Sequence, residues 1–283
     1  EPGVNPQHFE GISGWGTDGL AVFGQYGEVY VRDNGVWQAR NDPNGSGEVG
    51  PVVAAGPNDL TTMMNDFTTR HWDGISWRDI SSLSGGPGSG GLVSFVGGSG
   101  KTGACAFGFY QRCFDGSVWT NIAVTGTPHV AASTVIAGNI VALTNTGVVW
   151  SRDSSSGVWT QIGGGGSGQT LSPGIIFGTS ASNLWTIAIH NDADPVIRYW
   201  NGSSWATQAD PSGQDNNTGT PLGGVAFASN DAYIVRADNV GHGHVWHFDG
   251  YNWTDVHTAA YNYSGIWARG TDDIYVSEDG GGA

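Results

Sequence analysis

The sequence has few of the residues that favour helices. It contains one lysine, two methionines, five glutamates and eight leucines among 283 residues. These types are among the strongest helix formers, so their scarcity argues against a helical or α/β architecture. Glycine, with 48 copies, and the abundant Ser, Thr, Val, Asn and Asp favour strands joined by tight turns. Hydrophobic residues still make up 38% of the chain, which is enough for a core, so we expect an ordered all-β protein.

Positive charge is also scarce. Ten basic residues stand against 25 acidic ones, a net charge of −15, and such a surface repels nucleic acid and anionic membranes. The sequence has no run of 18 apolar residues, so we expect no membrane insertion. Charged residues make up only 12% of the chain, about half of the usual share. An uncharged polar surface is common in secreted and surface-displayed proteins, and we therefore expect an extracellular location.

One sequence unit occurs six times: a strand, a turn of Asp, Asn and Gly, and a second strand that begins with tryptophan. The Asp-Gly and Asn-Gly pairs predict two-residue hairpin turns, since they tolerate positive φ angles. A pair of apolar strands precedes each unit, so each repeat contains four short strands, named a to d in chain order. The repeated tryptophans, which are 40, 42, 40, 46 and 48 residues apart, are Trp37, Trp77, Trp119, Trp159, Trp205 and Trp253.

Four strands in roughly 40–50 residues are the signature of a β-propeller blade. We expect one domain of seven four-stranded antiparallel blades, of which the last is incomplete. The spacing of the tryptophans places a seventh at 293–301, so the last blade is completed either by residues after Ala283 or by residues before Gly11. The predicted repeats cover approximately residues 11–40, 51–82, 92–123, 133–163, 174–208 and 223–257, with a partial repeat at 264–283.

Three short patterns connect the chain with a known group of repeats. Gly-Ile-Trp at 265–267, Asp-Asp-Ile-Tyr-Val at 272–276 and Asp-Gly-x-x-Trp at 249–253 resemble the Trp-rich β-propeller repeats of bacterial secreted and surface proteins. The fourth repeat, 151–159, is similar to an Asp-box, and the a–b halves are similar to tectonin-type lectin repeats. Such repeats occur in lectins, sialidase-like enzymes, adhesins and virion fibres, so the resemblance implies the fold and does not define an activity.

The connections between strands predict which face of the propeller binds a ligand. In a four-stranded meander the d–a and b–c connections leave on one face, and the long segments of this sequence are of these two kinds. Long loops on a rigid scaffold commonly carry function. Aromatic rings beside Asp and Asn are suited to hold the apolar face and the hydroxyls of a sugar. The candidate ligand-binding residues on this face are Tyr261, Tyr263, His190, Asp192, Asp194, His242 and His244.

The two cysteines predict a disulfide. Cys105 and Cys113 are symmetric about Phe109 on strands b and c of the third repeat, so a tight hairpin places them opposite each other. A disulfide there indicates an oxidising compartment. Two free buried thiols are the alternative.

A second motif concerns calcium. Asp42, Asn44 and Ser46 have the spacing of the first half of a calcium loop, although no glutamate closes the loop. Because Asp, Asn and Gly are also simple turn formers, the alternative is an ordinary loop. Calcium is the one cofactor that the sequence suggests, and we otherwise expect none.

Three functions remain open. The leading hypothesis is a non-catalytic extracellular propeller that binds carbohydrate or a surface or protein partner through its d–a/b–c face. The second is an enzyme, either a glycoside hydrolase or a polysaccharide lyase. A hydrolase needs two carboxylates that converge across one sugar, and the sequence identifies no such pair; a lyase base is available in His190 or in His257 near Tyr261. The third is a structural subunit of a filament, envelope or virion.

Overall fold

The computed structural model describes residues 9–45, 49–64, 68–81, 92–97, 104–108, 111–115, 117–122, 129–163, 174–188, 196–209, 221–238 and 240–278. These residues form 26 β-strands and a single 3₁₀ turn at Gln25–Gly27. Within them, no helix has the length and apolar character needed to cross a membrane.

Six sheets of four antiparallel strands make up most of the described chain, each in the order a–b–c–d. Blade one contains β1 (Phe9–Trp15), β2 (Gly19–Gly24), β3 (Val29–Asp33) and β4 (Val36–Ala39). Blade two contains β5 (Val49–Gly56), β6 (Asp59–Met64), β7 (Thr69–Trp72) and β8 (Trp77–Asp79). Blade three contains β9 (Leu92–Gly97), β10 (Ala104–Gly108), β11 (Arg112–Phe114) and β12 (Trp119–Asn121).

The remaining blades follow the same order. Blade four contains β13 (Val130–Ile136), β14 (Asn139–Thr144), β15 (Val149–Arg152) and β16 (Trp159–Gly163). Blade five contains β17 (Ile175–Ser180), β18 (Asn183–Ala188), β19 (Val196–Trp200) and β20 (Trp205–Thr207). Blade six contains β21 (Pro221–Ala228), β22 (Asp231–Ala237), β23 (Gly243–Phe248) and β24 (Trp253–Thr258). The a-to-d meander and the all-β propeller are therefore confirmed.

The blade count differs from the sequence prediction. After blade six, the strands β25 (Tyr263–Gly270) and β26 (Asp273–Glu278) pair only with each other among the described strands, and we call them the closing hairpin. Strand β25 contacts the innermost strands β21 and β1, so the hairpin lies between blade six and blade one. The prediction of seven blades is wrong: the molecule has six, because the last repeat forms strands a and b without strands c and d in the described chain.

Aromatic and aliphatic side chains fill the spaces between blades. Trp185 of blade five is fully buried, and its ring lies 4.8 Å from that of Tyr199 in the same blade. The rings of Phe248 and Trp253 in blade six lie 5.0 and 5.8 Å away. Burial of such rings contributes much of the stability of a protein core, so adjacent blades stabilise each other.

Trp77, Trp119 and Trp159 also bind the preceding blade through hydrogen bonds. The indole N–H of Trp119 donates to the carbonyl of Ile80 over 2.8 Å, and that of Trp159 donates to Ile122 over 2.7 Å. Each acceptor directly follows strand d of the preceding blade. The indole therefore fixes the position of strand d in one blade against the end of strand d in the other.

The c–d turns are longer than the two residues that the sequence predicts. Only blade one has a two-residue turn, in which Asn34 and Gly35 both have positive φ. In blade two Trp72 pairs with Trp77, so the turn between them has four residues. The carboxylate of Asp73, the first residue of the turn, accepts two backbone N–H groups of the same turn. This Asx turn supplies the backbone donors with a partner, so turns of four residues, or of six in blade four, replace two-residue ones.

The disulfide is confirmed. Cys105 of β10 and Cys113 of β11 pair directly across the hairpin, with a Cα–Cα distance of 4.1 Å, and both side chains are buried. The bond joins the two middle strands of blade three.

Candidate ligand-binding site on blade six

The b–c turn (residues 238–242) and the d–a connection (residues 259–262) of blade six meet on one face of the propeller. The backbone N–H of Gly243, at the start of β23, donates to the carbonyl of Tyr261 over 2.9 Å. The carbonyl of Gly243 accepts the N–H of Ala259 over 2.8 Å. These two bonds hold the d–a connection against the first residue of strand c. The structure therefore places both connections together, as the meander geometry requires.

Four of the predicted ligand-binding residues lie in this region: Tyr261, Tyr263, His242 and His244. The other three, His190, Asp192 and Asp194, lie outside the described residues. We call the region formed by residues 238, 240–244 and 255–263 the blade-six site.

Asp238 organises the b–c turn. Its Oδ1 atom accepts the backbone N–H groups of Val240 and His242 over 2.9 and 2.7 Å. Its own N–H donates to the carbonyl of His242, and Gly241 takes the positive φ of 93° that the turn requires. Burial raises the pKa of Asp238, but the hydrogen bonds from His242 and Val240 outweigh it and leave the pKa below its ordinary value. The turn therefore carries a negative charge at neutral pH.

The imidazole of His244 lies between two carboxylates. Its Nδ1 is 2.7 Å from Oδ2 of Asp255, and its Nε2 is 3.5 Å from Oδ2 of Asp238. The hydroxyl of Thr258 donates to the same Oδ2 of Asp255 over 3.0 Å. This chain of polar contacts orders the ends of β23 and β24, so the site is held in shape before any ligand arrives.

The sequence does not identify Asp255 as a residue of the site, because a β-bulge determines on which face of the sheet its side chain lies. The pairing of β23 with β24 shifts between Val245 and Trp246, and this shift sets Asp255 opposite Trp246. Directly opposed residues share a face of the sheet, so Asp255 is on the face of His244. A bulge inserts one residue and reverses the alternation beyond it, and no pattern in the sequence of β24 signals this.

The two tyrosines have different positions. The side chain of Tyr261 is 46% exposed, whereas Tyr263 is buried and packs its ring against Gly243. Burial, followed by the charges of Glu278 and Asp255, raises the pKa of Tyr263. Tyr263 therefore packs beneath the d–a connection, whereas the ring of Tyr261 is accessible to solvent.

His242 completes the exposed part of the site. Its side chain is 49% exposed, with Nδ1 3.3 Å from Oδ2 of Asp238, and it is followed in the chain by Gly243, which binds the carbonyl of Tyr261. Val240 in the same turn is also exposed. An aromatic ring, an aliphatic side chain and an ordered imidazole–carboxylate pair thus share one small surface.

The predicted calcium loop contains a buried ion pair. Both carboxylate oxygens of Asp42 accept hydrogen bonds from Arg70 of blade two, over 2.6 Å from Nε and 2.9 Å from Nη2. The N–H of Asn44 donates to Asp42 as well, over 3.0 Å. Ser46 lies outside the described residues, and among the described ones no group of three or more His, Cys, Asp or Glu side chains is arranged to hold a metal ion. Calcium at this loop stays a prediction.

No protein-family model matches the sequence, and no curated protein matches it. Solved structures do match. YCF48 from Cyanidioschyzon merolae superimposes with a TM-score of 0.67 at 13% identity, over 98% of this chain and 95% of that one. YCF48 bound to D1 peptide gives 0.65 at 14% identity, over 97% and 91% of the two chains.

A lectin is also similar. The SapL1 lectin, solved in complex with alpha methyl fucoside, gives a TM-score of 0.52 at 13% identity, over 95% of this chain and 88% of that one. At such identities the likeness concerns the fold alone. The chain shares the β-propeller fold with these proteins.

Proposed function

We propose that the protein is a non-catalytic, extracellular β-propeller that binds carbohydrate through the blade-six site. The observation that carries the proposal is the exposed ring of Tyr261, held by backbone hydrogen bonds beside His242 and Asp238. A sugar presents an apolar face to an aromatic ring and hydroxyls to carboxylate and imidazole groups. Sites for small ligands combine such an apolar surface with a few fixed polar groups.

The known partners of similar structures support a binding role. The SapL1 lectin was solved with alpha methyl fucoside, and YCF48 with a peptide, so propellers of similar shape hold a sugar in one case and a peptide in the other. The disulfide supports an extracellular location, because such bonds persist in oxidising compartments.

The arrangement of charges favours binding over hydrolysis. A glycoside hydrolase needs one carboxylate on each side of the scissile bond. In the blade-six site the two nearby carboxylates, Asp238 and Asp255, both contact the ring of His244, which stands between them. A ring in that position leaves no space between the carboxylates for a sugar, so the pair is suited to order the site.

The test is a binding measurement on wild-type protein and matched tyrosine variants. We expect the wild type to bind glycans on an array, and the Tyr261→Ala variant to bind the strongest of them about tenfold or more weakly, because the ring is the main apolar contact. The backbone bonds of Tyr261 do not depend on its side chain, so the variant should keep its thermal midpoint.

Tyr251 provides the control. It is 90% exposed in the c–d turn of the same blade, on the opposite face of the propeller, so Tyr251→Ala should bind as the wild type does. A wild type that binds no glycan, or two variants with equal affinity, would count against the proposal. If the wild type instead binds a protein partner, and Tyr261→Ala loses that binding, the ligand of the blade-six site is a protein and not a carbohydrate.

A further inference from the structure

Tyr26, in the b–c turn of blade one, has an unusual backbone conformation. Its φ of 58° and ψ of 28° lie in the left-handed region. Among the described residues, the other non-glycine residues with positive φ are Asn34 and Ala137. A bulky aromatic residue fits this region poorly, so Tyr26 strains the folded protein where a glycine would not. Backbone strain of this kind is concentrated at sites where a side chain has a function.

Backbone hydrogen bonds close the turn around Tyr26. The N–H of Gly24, at the end of β2, donates to the carbonyl of Glu28 over 2.8 Å. The N–H of Glu28 donates to the carbonyl of Gln25 over 3.2 Å. Both bonds span Tyr26, so they keep its backbone in the strained conformation.

The d–a connection after blade one supports the same turn. The carbonyl of Gly27 accepts the N–H of Asp42 over 2.8 Å, and a Cβ atom on Gly27 would come within 2.6 Å of the carbonyl oxygen of Asp42. The side chain of Asp42 is in turn fixed by its buried ion pair with Arg70 of blade two. The turn cannot relax without breaking these contacts, so the position of Tyr26 is fixed.

The side chain of Tyr26 is nevertheless accessible. The residue is 71% exposed, compared with 46% for Tyr261, and both lie on the face to which the b–c and d–a connections lead. In the same turn, Nε2 of Gln25 donates to Oε1 of Glu10 over 3.0 Å. An exposed ring and an ordered amide–carboxylate pair are thus combined on blade one, as a ring and an imidazole–carboxylate pair are on blade six.

We propose that Tyr26, Gln25 and Glu10 form a second carbohydrate-binding site, which we call the blade-one site. This inference rests on the proposed function, because it assigns the same class of ligand to a second position on the same face. The ring of Tyr26 would stack on the apolar face of a sugar, and the amide and carboxylate would bind its hydroxyls. A ring that is already held in place loses little conformational entropy on binding, which gives the strained turn a function.

The test measures the number of binding sites together with stability. The probe is the free oligosaccharide that the wild type binds most strongly on a glycan array, titrated by calorimetry. We expect two sites per chain in the wild type and one in Tyr26→Gly. Because glycine adopts positive φ without strain, Tyr26→Gly should also have a higher thermal midpoint than the wild type. A residue with only a structural role would not lose a binding site while the fold becomes more stable.

The control is Ala137→Gly. It relieves a positive φ of 49° in the a–b turn of blade four, on the opposite face, so it should keep both sites. Tyr261→Ala should retain only the blade-one site at full affinity. One site in the wild type that Tyr26→Gly keeps and Tyr261→Ala weakens would overturn the blade-one site and leave the proposed function intact. One site that Tyr26→Gly loses and Tyr261→Ala keeps would support the blade-one site and count against the blade-six site. A wild type that binds no oligosaccharide would overturn both.

Discussion

Charged residues differ in how much their ion pairs contribute to the stability of the fold, and burial explains the difference. Arg70 and Asp42 form a two-bond ion pair from which water is excluded, and it joins the d–a connection after blade one to blade two. Arg78 and Asp73 form a pair of 3.2 Å at the surface, where Arg78 is half exposed. Exposed pairs contribute little because solvent screens them, whereas breaking a buried pair leaves an uncompensated charge.

We therefore expect Arg70→Met to lower the free energy of unfolding by about 3–5 kcal/mol, because it leaves the Asp42 carboxylate buried without its cation. Arg78→Met should cost less than about 1 kcal/mol. Urea denaturation measures both. The double variant Asp42→Asn/Arg70→Met removes the stranded charge and should be more stable than Arg70→Met alone. Equal costs for Arg70→Met and Arg78→Met would show that the buried pair has no special role.

Among the elements, the c–d turns of blades two to six share one feature: the side-chain oxygen of their first residue, Asp or Asn, accepts backbone N–H groups. Asp115 accepts two backbone N–H groups over 2.9 Å, and Asp249 does the same over 2.8 Å. Asn201 makes the equivalent bonds in blade five with its amide oxygen. The hydrogen bonds from the backbone hold the pKa of Asp115 and Asp249 below the ordinary value of 3.8, as they do for Asp73. The pKa of Asp153 is also lowered, chiefly by the hydroxyl of Ser155.

The lowered pKa values of these four aspartates predict that the folded protein loses stability in acid. A carboxylate whose pKa is lower in the folded protein stabilises the fold above its unfolded value of 3.8, and this stabilisation is lost as pH falls toward the folded value. The variant with Asn at the four turn aspartates, positions 73, 115, 153 and 249, keeps the acceptor oxygen and cannot be protonated in this range. Its thermal midpoint should therefore fall less between pH 5 and about pH 2.5 than that of the wild type.

Asn201→Asp makes the reverse change in the same kind of turn. It should increase the loss of thermal midpoint over that pH interval. If the wild type and both variants show the same dependence on pH, the turn carboxylates do not govern acid stability.

For the whole molecule, the closure of the ring depends on the contact between β25 and β1. The Trp267 ring lies over Gly14, where a Cβ atom would come within 2.2 Å of its Cε2. Arg269 binds the carbonyl of Thr17 and lies 3.5 Å from the carboxylate of Asp18. The first and last described strands are thereby joined, so the ring is closed by side-chain packing and polar contacts between the two ends of the described chain.

Gly14→Ala should weaken this closure, because the added methyl group displaces the indole of Trp267. We expect a loss of about 1–3 kcal/mol in the free energy of unfolding, the usual cost of overpacking a well-filled site. Gly270→Ala on the closing hairpin is the control, since a Cβ there meets no atom within 4 Å, and it should change stability by less than about 0.5 kcal/mol. Chemical denaturation of both variants measures the difference. Equal stability of the two would mean that the indole does not close the ring.

Local chemistry explains which features the sequence reveals. The spacing of the tryptophans predicts four strands per repeat, because an indole recurs near the start of strand d in every repeat. The symmetry of Cys105 and Cys113 predicts their bond, because residues opposite each other in a hairpin are set by their distance from its turn. The turn length, in contrast, depends on a competition between backbone conformation and the Asp side chain, and the Asp-Gly pair is compatible with both outcomes.

The repeat period, the alternation of apolar residues and the turn chemistry are properties of neighbouring residues, so the sequence alone determines the all-β meander and its propeller fold. The number of blades, the direction of Asp255 and the burial of Tyr263 next to the exposed Tyr261 depend on which distant strands come together. The position of a β-bulge, the closure of the propeller and the burial of a side chain are set by contacts between residues far apart in the chain. Only the tertiary structure decides them, because their energies arise from packing that no single repeat contains.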